Sequence, residues 1–316
     1  MLGIIITTYK SYDRIQDYVK NDLLDFVSSG KGKAVVVDVG SEYSSAERIA
    51  GLLDVKVSSF DDEPVGDVIV LHVEENVGYA RANNYGVRYL MKHFPDMEAF
   101  LFSNEDVRFK SPNVLETLLA RLKSLPDAGA IGPDVRDMKG NPQGPAFNYQ
   151  SVWYTIVNNI CEPLFGRGFI KASFASGKTQ EELERKSGPA CVLCGCFFMV
   201  DAAAFLKAGM FDERTFLYWE EEILSRRFEA IGKRLYYEDS VQVQHYVGGT
   251  MPRKDRPNTF QLKNMIFGAN LYFTYYDKCG FFKSLLLKLS NNIRLGLVNL
   301  AILKYNIKHF FYCGEG

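Results

Sequence analysis

The chain has 316 residues, 47% hydrophobic and 24% charged, the balance of a folded globular protein with ample core and not of a disordered segment. Its formal net charge of -1 excludes a uniformly basic polyanion binder, yet it conceals a division. Residues 251–316 hold 10 Lys+Arg against 3 Asp+Glu, which leaves 27 against 35 for the first 250, so a +7 aromatic tail follows a -8 body.

The opening "MLGIIITTYK" lacks the basic start and small-residue cleavage site of a signal peptide. Its "GIIITTY" reads as a strand, and "YDRIQDYVKNDLLDFVSS" follows as a helix. The strand "AVVVDVGS", the helix "SSAERIAGLL" with a serine before Ala46 as N-cap, and the strand "DVIVLHV" come next. "YARANNYGVRYLMKHF" is a helix and "AFLFSN" a strand. Continuous apolar strands alternating with helices predict an α/β fold, with a mostly parallel central sheet flanked by helices.

Ligands of such sheets gather beyond the carboxyl ends of the strands. Four strands in succession close there in polar residues: Thr7, Thr8 and Tyr9; Asp38, Gly40 and Ser41; Glu75, Asn76 and Gly78; Asn104, Glu105 and Asp106. Together they predict a crevice for a nucleotide and a metal ion. In "FLFSNEDVRF" the strand period puts Asn104 and Asp106 on one face and Glu105 on the other. Carboxylate and amide oxygens suit Mg²⁺ or Mn²⁺ together with substrate phosphates. Acidic turns are also common, so Asp106 as a turn cap is the competing reading. In "ENVGYARANNYGVRYL", Gly78 permits a tight helix entry and Arg81 stands where a diphosphate could meet the helix start.

The stretch from Lys139 to Gly188 reads as irregular, a place for acceptor contacts or a lid. The cysteines are expected as reduced thiols, and "CVLCGC", which runs into "FFMV", reads as a buried strand with small thiols in preference to a zinc site. A short helix "DAAAFLKAG" and a second, "MFDERTFLYWEEEILSRRFEAIG", follow. Glu220, Glu221 and Glu222 stand at a helix start, where acids complement the dipole. Glu222 has the spacing to pair with Arg226. Three adjacent carboxylates also raise one another's pKa, as a general base requires. The alternation of "VQVQHYVGG" sets His245 on the valine face at a strand end, either as a core histidine or as a metal ligand completing a carboxylate site.

Residues 260–312 read as helices, with Phe281, Leu285 and Leu289 on one face and lysines dispersed among them. The apolar run "LGLVNLAIL" is too short to span a bilayer. A subdomain packed on the core, a homodimer interface and a peripheral membrane contact all fit a basic amphipathic helix. The tail contains no recognisable nucleic-acid module, and its apolar content favours an anionic membrane surface over nucleic acid. The location expected from these features is cytoplasmic, with the inner face of the cell membrane as a peripheral site.

The segments "IIITTYKSYDRI", "VVVDVGS", "ENVGYARANNYG", "FLFSNEDV", "GCFFMV", "GMFDERTFLYWEEEILSRR" and "VQHYVGGT", in this order, resemble a family 2 glycosyltransferase of GT-A fold, of the rhamnosyltransferase-like bacterial branch. That resemblance implies a Rossmann-like GT-A catalytic domain over 1–250, with a nucleotide-sugar half to about 110 and an acceptor half to 250, then a helical C-terminal region over 251–316. It implies a nucleotide-diphosphate sugar donor of the UDP or dTDP type, a Mn²⁺ or Mg²⁺ ion, and inversion at the anomeric carbon. The acceptor would be a saccharide or lipid-linked saccharide in cell-surface polysaccharide synthesis, and the sugar rhamnose or another hexose. By the same resemblance Thr7, Tyr9 and Asp38 line the nucleoside pocket. Asn76, Arg81 and Asn83 lie near the diphosphate and sugar, and Asn104-Glu105-Asp106 occupies the place of the Asp-x-Asp motif. Asp106 and His245 would be metal ligands and Glu221, preceded by Glu220, the base.

Asn104 and Glu221 each depart from an aspartate of the strict pattern, and Ile223 stands where another acid is frequent. The Gln-x-x-Arg-Trp motif of processive synthases is absent from the sequence, so one sugar per encounter is expected. The rival readings are a sugar nucleotidyltransferase, against which the lack of a glycine-rich basic loop after the first strand speaks, and an inactive GT-A-like binding protein, against which the presence of both base and metal-ligand candidates speaks.

Overall fold

A computed structural model describes residues 1–12, 14–166, 186–246 and 259–312, with side chains through 304. Strands β1 (Leu2–Thr8), β2 (Gly32–Val39), β3 (Val57–Ser58), β4 (Val68–Val73) and β5 (Ala99–Asn104) form one parallel block in the order β3-β4-β2-β1-β5. Beyond β5 the sheet continues as β9 (Phe197–Asp201), β7 (Ala128–Arg136), β10 (Arg234–His245) and β6 (Val107–Phe109), with β8 (Gly188–Ala190) also on β10. Strand β9 runs antiparallel to both β5 and β7, while β7 and β10 run parallel to each other.

The apolar strand runs bury both faces, which divides the core into two layers. Ile4, Ile6 and Val36 face one way, against Tyr18, Ile49 and Leu118 of the helices on that side. These belong to α1 (Ile15–Tyr18, a π-helical turn Val19–Leu23 and Leu24–Ser28), α2 (Tyr43–Leu53) and α4 (Val114–Ser124). Ile5, Val35 and Val37 face the other, against Val87, Leu90, Phe205 and Phe228. Those helices are α3 (Gly78–His93), α6 (Ala202–Lys207) and α7 (Glu220–Ala230).

Three local expectations are corrected. Helix α2 starts at Tyr43 with Glu42 as its N-cap and no side-chain cap; Ser45 lies inside the first turn, its N–H on the Glu42 carbonyl at 2.8 Å. Cys191–Cys196 form a turn before β9 instead of strand, because Phe197 is the first residue to enter the ladder with β5. Finally, the segment after Lys139 contains a helix, α5 (Val152–Phe165), which buries Val152, Thr155, Ile156 and Asn159 and carries Pro163 in its last turn. Residues 167–185 of that segment, and the boundary drawn at 250, lie outside the described residues.

The C-terminal region folds as α8 (Thr259–Leu271), a π-helical turn (Tyr272–Tyr276) and α9 (Phe281–Tyr312). Its inner face is docked on the body through a third apolar cluster that includes Ile156, Ile223, Tyr272, Phe273 and Leu287. Arg226 reaches Asp277 at 2.8 Å and Glu229 at 2.9 Å, so the expected Glu222–Arg226 pair gives way to a bond between α7 and the tail.

Candidate active site

Parallel register aligns one row of polar side chains at the carboxyl edge of the sheet. Thr8, Asp38 and His72 are successive partners across β1, β2 and β4. The Thr8 hydroxyl donates to Asp38 Oδ1 at 3.0 Å, and His72 Nδ1 lies 3.7 Å from Asp38 Oδ2, which has no hydrogen-bond partner although Asp38 is fully buried. A buried carboxylate with one unsatisfied oxygen is costly. It leaves in this row one acceptor that no group among the described residues hydrogen-bonds. Thr7 faces the opposite side of the sheet, in register with Asn104 of β5, and Tyr9 beyond the strand is half exposed.

The helix entry differs in detail from the sequence reading. Asn76 Oδ1 accepts from the Gly78 N–H at 3.1 Å and the Phe216 carbonyl accepts from the Tyr79 N–H at 2.9 Å, so two first-turn donors of α3 are already engaged. Gly78, at φ +81°, leaves no room for a Cβ, which would lie 2.3 Å from the Phe216 oxygen. Arg81 donates to the Glu213 carbonyl at 3.0 Å, turned toward the segment before α7. Asn83 is buried, its amide N–H on the Tyr79 carbonyl at 3.0 Å and its Oδ1 without a hydrogen-bond partner.

Strand β5 ends at Asn104, and residues 105–106 make a tight turn into β6, so the two-residue alternation stops before Asp106. Glu105 is buried. Antiparallel pairing of β6 with β10 then sets His245 opposite Val107, and His245 Nε2 lies 3.2 Å from Asp106 Oδ1. Two residues 139 apart in sequence meet because both flank one strand pair. Burial pushes the His245 imidazole pKa down, but the hydrogen bond and charge of Asp106, with Cys194, more than offset this and hold it above its ordinary value. His245 Nδ1 is 2.6 Å from Gln143 Oε1. Since that oxygen only accepts, Nδ1 carries the proton and Nε2 faces the carboxylate, an arrangement that calls for a cation between them. A proton serves in the protein alone, and a hard divalent ion fits the same nitrogen–oxygen pair. Among the described residues no three His, Cys, Asp or Glu side chains form a metal cage, so the remaining ligands would be phosphate oxygens and water.

The turn Cys194-Gly195-Cys196 joins this pair to α7. The Asn104 N–H donates to the Cys196 carbonyl at 2.9 Å, and the Tyr79 hydroxyl to the Gly195 carbonyl at 2.8 Å. Glu221 lies directly on the glycine: a Cβ there would sit 1.6 Å from its Oε1. The Asp106 and Glu221 carboxylates both raise the Cys196 thiol, after the stronger effects of Cys194 and burial, and the hydrogen bond with Cys196, against burial and with a smaller contribution from His245, holds Cys194 down at about 7. Metal-ligand candidates and base candidate thus flank one three-residue turn. Cys194 and Cys196 are free thiols 3.5 Å apart.

Helix α7 begins after two consecutive left-handed residues, Tyr218 (φ 76°) and Trp219 (φ 75°), a strained entry of the kind found at functional sites. Burial raises all three glutamates that follow: Glu220 well above its ordinary value, with the charge of Glu221 next, Glu221 less so, and Glu222 to about 7, again with Glu221 adding. Burial therefore outweighs the helix dipole. Only Glu221 of the three reaches the cysteine turn; Glu220 is buried with one oxygen without a hydrogen-bond partner, and the charge of Glu222 acts on Tyr272 of the tail.

Against known structures the chain has TM-score 0.57, 13% identity, to GalNAc-T7 with UDP, GalNAc and Mn²⁺, covering 88% of this chain and 49% of that one. To the mannosyltransferase PcManGT of Pyrobaculum calidifontis in complex with GDP-Man and Mn²⁺ the TM-score is 0.52 at 15% identity, covering 97% and 75%. The fold is GT-A. In sequence the GT-A chain resembles the N-acetylglucosaminyl-diphospho-decaprenol L-rhamnosyltransferase of two Mycobacterium tuberculosis strains, CDC 1551 / Oshkosh and H37Rv, at 27% identity over 186 residues. That match takes in 57% of this chain and 59% of the relatives, less than two thirds of their length. No family model matches the chain. The parallel block and the half-sheet that continues beyond β5 both lie within the span shared with PcManGT, which is nearly the whole chain.

Gln143, His72, Tyr79 and Gly195 were not singled out from the sequence. A strand neighbour such as His72 has no local signature, since only register brings it beside Asp38. The one usable signal was Gly195, a glycine held between two cysteines at the start of a buried strand.

Proposed function

We propose that the protein is an inverting, metal-dependent glycosyltransferase of family 2 that moves one sugar from a nucleotide-diphosphate sugar to a saccharide or lipid-linked saccharide acceptor. The observation that carries this reading is the Cys194–Cys196 turn, with Asp106 and His245 on one flank and Glu221 on the other. A leaving diphosphate and an attacking hydroxyl need a cation-binding pair and a base gathered at one place. The row Thr8-Asp38-His72 supports a nucleobase site, where the unsatisfied Asp38 oxygen would accept an N–H from a pyrimidine of the UDP or dTDP type. The rhamnosyltransferase relatives support rhamnose or another hexose as the sugar and a polyprenyl-linked saccharide as the acceptor.

On this reading Asp106 and His245 would hold Mn²⁺ or Mg²⁺, which neutralises charge on the departing diphosphate. Gln143 keeps the His245 Nδ1 proton and so turns Nε2 toward the ion site. Glu221, its pKa raised by burial, takes the acceptor hydroxyl proton as that oxygen attacks from the face opposite the leaving group. Inversion needs one base and an assisted leaving group, so a second protein acid has no role.

Transfer and donor hydrolysis measured over a panel of nucleotide sugars, with Mn²⁺, Mg²⁺ or chelator, test the assignment. Asp106→Asn and Glu221→Gln should each lower turnover by about 10²–10⁴-fold with an unchanged circular dichroism spectrum. Near-normal turnover in either folded variant, or turnover indifferent to chelator, would overturn it.

A further inference from the structure

Helix α9 packs on the body through Leu287 and, next to it on the same side, a polar patch: Ser290 and Asn291 are buried, and Arg294 is largely so. Asn159 of α5 donates to Ser290 Oγ at 3.1 Å and to Asn291 Oδ1 at 2.7 Å, while Arg294 bonds Asn159 Oδ1 at 3.1 Å and Glu162 at 2.7 Å. Asn291 in turn donates to Asn270 of α8 at 3.0 Å. The outward side is apolar, its exposure running from 52% at Leu285 to 85% at Phe281, with Phe282, Leu289, Leu300 and Leu303 between. At a period of about 3.6 residues these positions share one face. Trp153, Val157 and Leu164 continue the exposed apolar surface on α5, with the Lys283 ammonium 6.0 Å from the Trp153 ring.

A soluble helix hides such a face and wets its polar one. Here the hydrogen-bonded network fixes the opposite rotation, because turning the leucines inward would bury the apolar side at the cost of five polar contacts. We infer that the outward faces of α5 and α9 form a monotopic docking surface for an anionic lipid bilayer, with the two helices lying in the headgroup–acyl boundary. The charge identifies the occupant. Helix α9 carries Lys283, Lys288, Lys304 and Lys308 and no acidic residue, while Arg294 is answered by Glu162 of the body; the lysines are the pattern attracted to anionic lipid. A second copy seated on the same face would set lysines against lysines across a twofold interface with no acid to answer them. Among the described residues no helix is long and apolar enough to cross a membrane, so the surface lies on the bilayer and does not span it. The inference deepens the proposed transfer to a lipid-linked acceptor, but it stands on the surface alone and is tested without donor or acceptor.

The experiment is flotation of the full chain with vesicles of zwitterionic phospholipid, with and without an anionic phospholipid, at low and high salt. The expected result is binding to the anionic vesicles, weakened by salt. Leu285→Gln combined with Leu289→Gln should abolish it. Lys283→Glu combined with Lys288→Glu should weaken it by at least about thirtyfold. Both double variants should keep the parent's circular dichroism and melting temperature, and transfer to a water-soluble acceptor. No flotation of the parent with anionic vesicles at low salt overturns the inference. So does a parent that is dimeric by light scattering and becomes monomeric in the leucine variant, since the face would then belong to a second copy. Flotation lost with soluble-acceptor transfer intact separates this surface from the catalytic reading. Transfer absent with flotation intact leaves the surface standing and sinks only that reading.

Discussion

At the scale of single residues, Gly195 is the most constrained position of the site. Alanine there would overlap Glu221 Oε1 at 1.6 Å, and since that atom is the free end of a side chain the carboxylate must swing aside while the backbone stays. Gly195→Ala should therefore fold with an unchanged melting temperature and lose about 10²-fold in turnover, the effect of an ångström of misplacement. A variant that is inactive because it unfolds, or that is fully active, would count against the assignment of Glu221. The carboxylates of α7 make a second prediction. Burial, reinforced by Glu221, raises the folded-state pKa of Glu222 to about 7, above its ordinary 4.5. The folded protein then binds more protons than the unfolded chain between these values. This contribution is full below the unfolded pKa and is lost as pH rises through about 7. Thermal unfolding should show stability falling across that range, and Glu222→Gln should flatten the fall by about 1–3 kcal/mol. An identical pH profile in the variant would refute the raised pKa.

At the scale of elements, the apolar strand runs made the parallel block legible, because strands buried on both faces leave only one kind of pattern in a sequence. The polar residues that close β1 and β2 were legible as breaks in those apolar runs, and register sets Thr8 and Asp38 side by side. What failed was anything fixed by a partner in space. The N-cap of α2 fell on Glu42, not on a serine, and Tyr43, the first helical residue, packs edge-on to His72 at 5.3 Å, a contact that only the folded chain brings about. The turn of Cys194–Cys196 could not be told from strand, since small thiols satisfy either. Arg226 chose Asp277 over Glu222 because the tail supplies a carboxylate at 2.8 Å while Tyr149 of the body supplies an aromatic wall 3.6 Å from its guanidinium carbon. The helix entry at Gly78 depends on such a partner too. Gly78→Ala would force both a left-handed φ and a clash with the Phe216 carbonyl, and should cost about 1–3 kcal/mol in denaturant unfolding. An unaffected midpoint would show that the loop before α7 gives way freely.

At the scale of the whole molecule, the tail is a structural part of the body. Trp219, the N-cap of α7, stacks on Tyr272 at 5.2 Å with Phe273 at 5.4 Å, and Gly268 brings α8 so near that a Cβ would lie 2.7 Å from the Trp219 ring. Tyr276 donates to Asp212 at 2.5 Å and accepts from Arg227 at 3.0 Å, and Arg214 together with Tyr276 holds the Asp212 carboxyl down at about 2 against its burial. The three glutamates are therefore aimed by a wall that the last sixth of the chain provides. Trp219→Ala should destabilise the protein by about 3 kcal/mol and lower turnover with it, read by calorimetry and a transfer assay. Conservative Trp219→Phe should restore most of both, and a stable, fully active alanine variant would show that the wall does not aim them. The consequence reaches how this fold can be recombined. A core exchanged between relatives at the tail junction would arrive with the start of α7 unsupported, so the exchangeable unit includes the helices that touch Trp219, and new surface properties must come from substitution within those helices, not from grafting a new end.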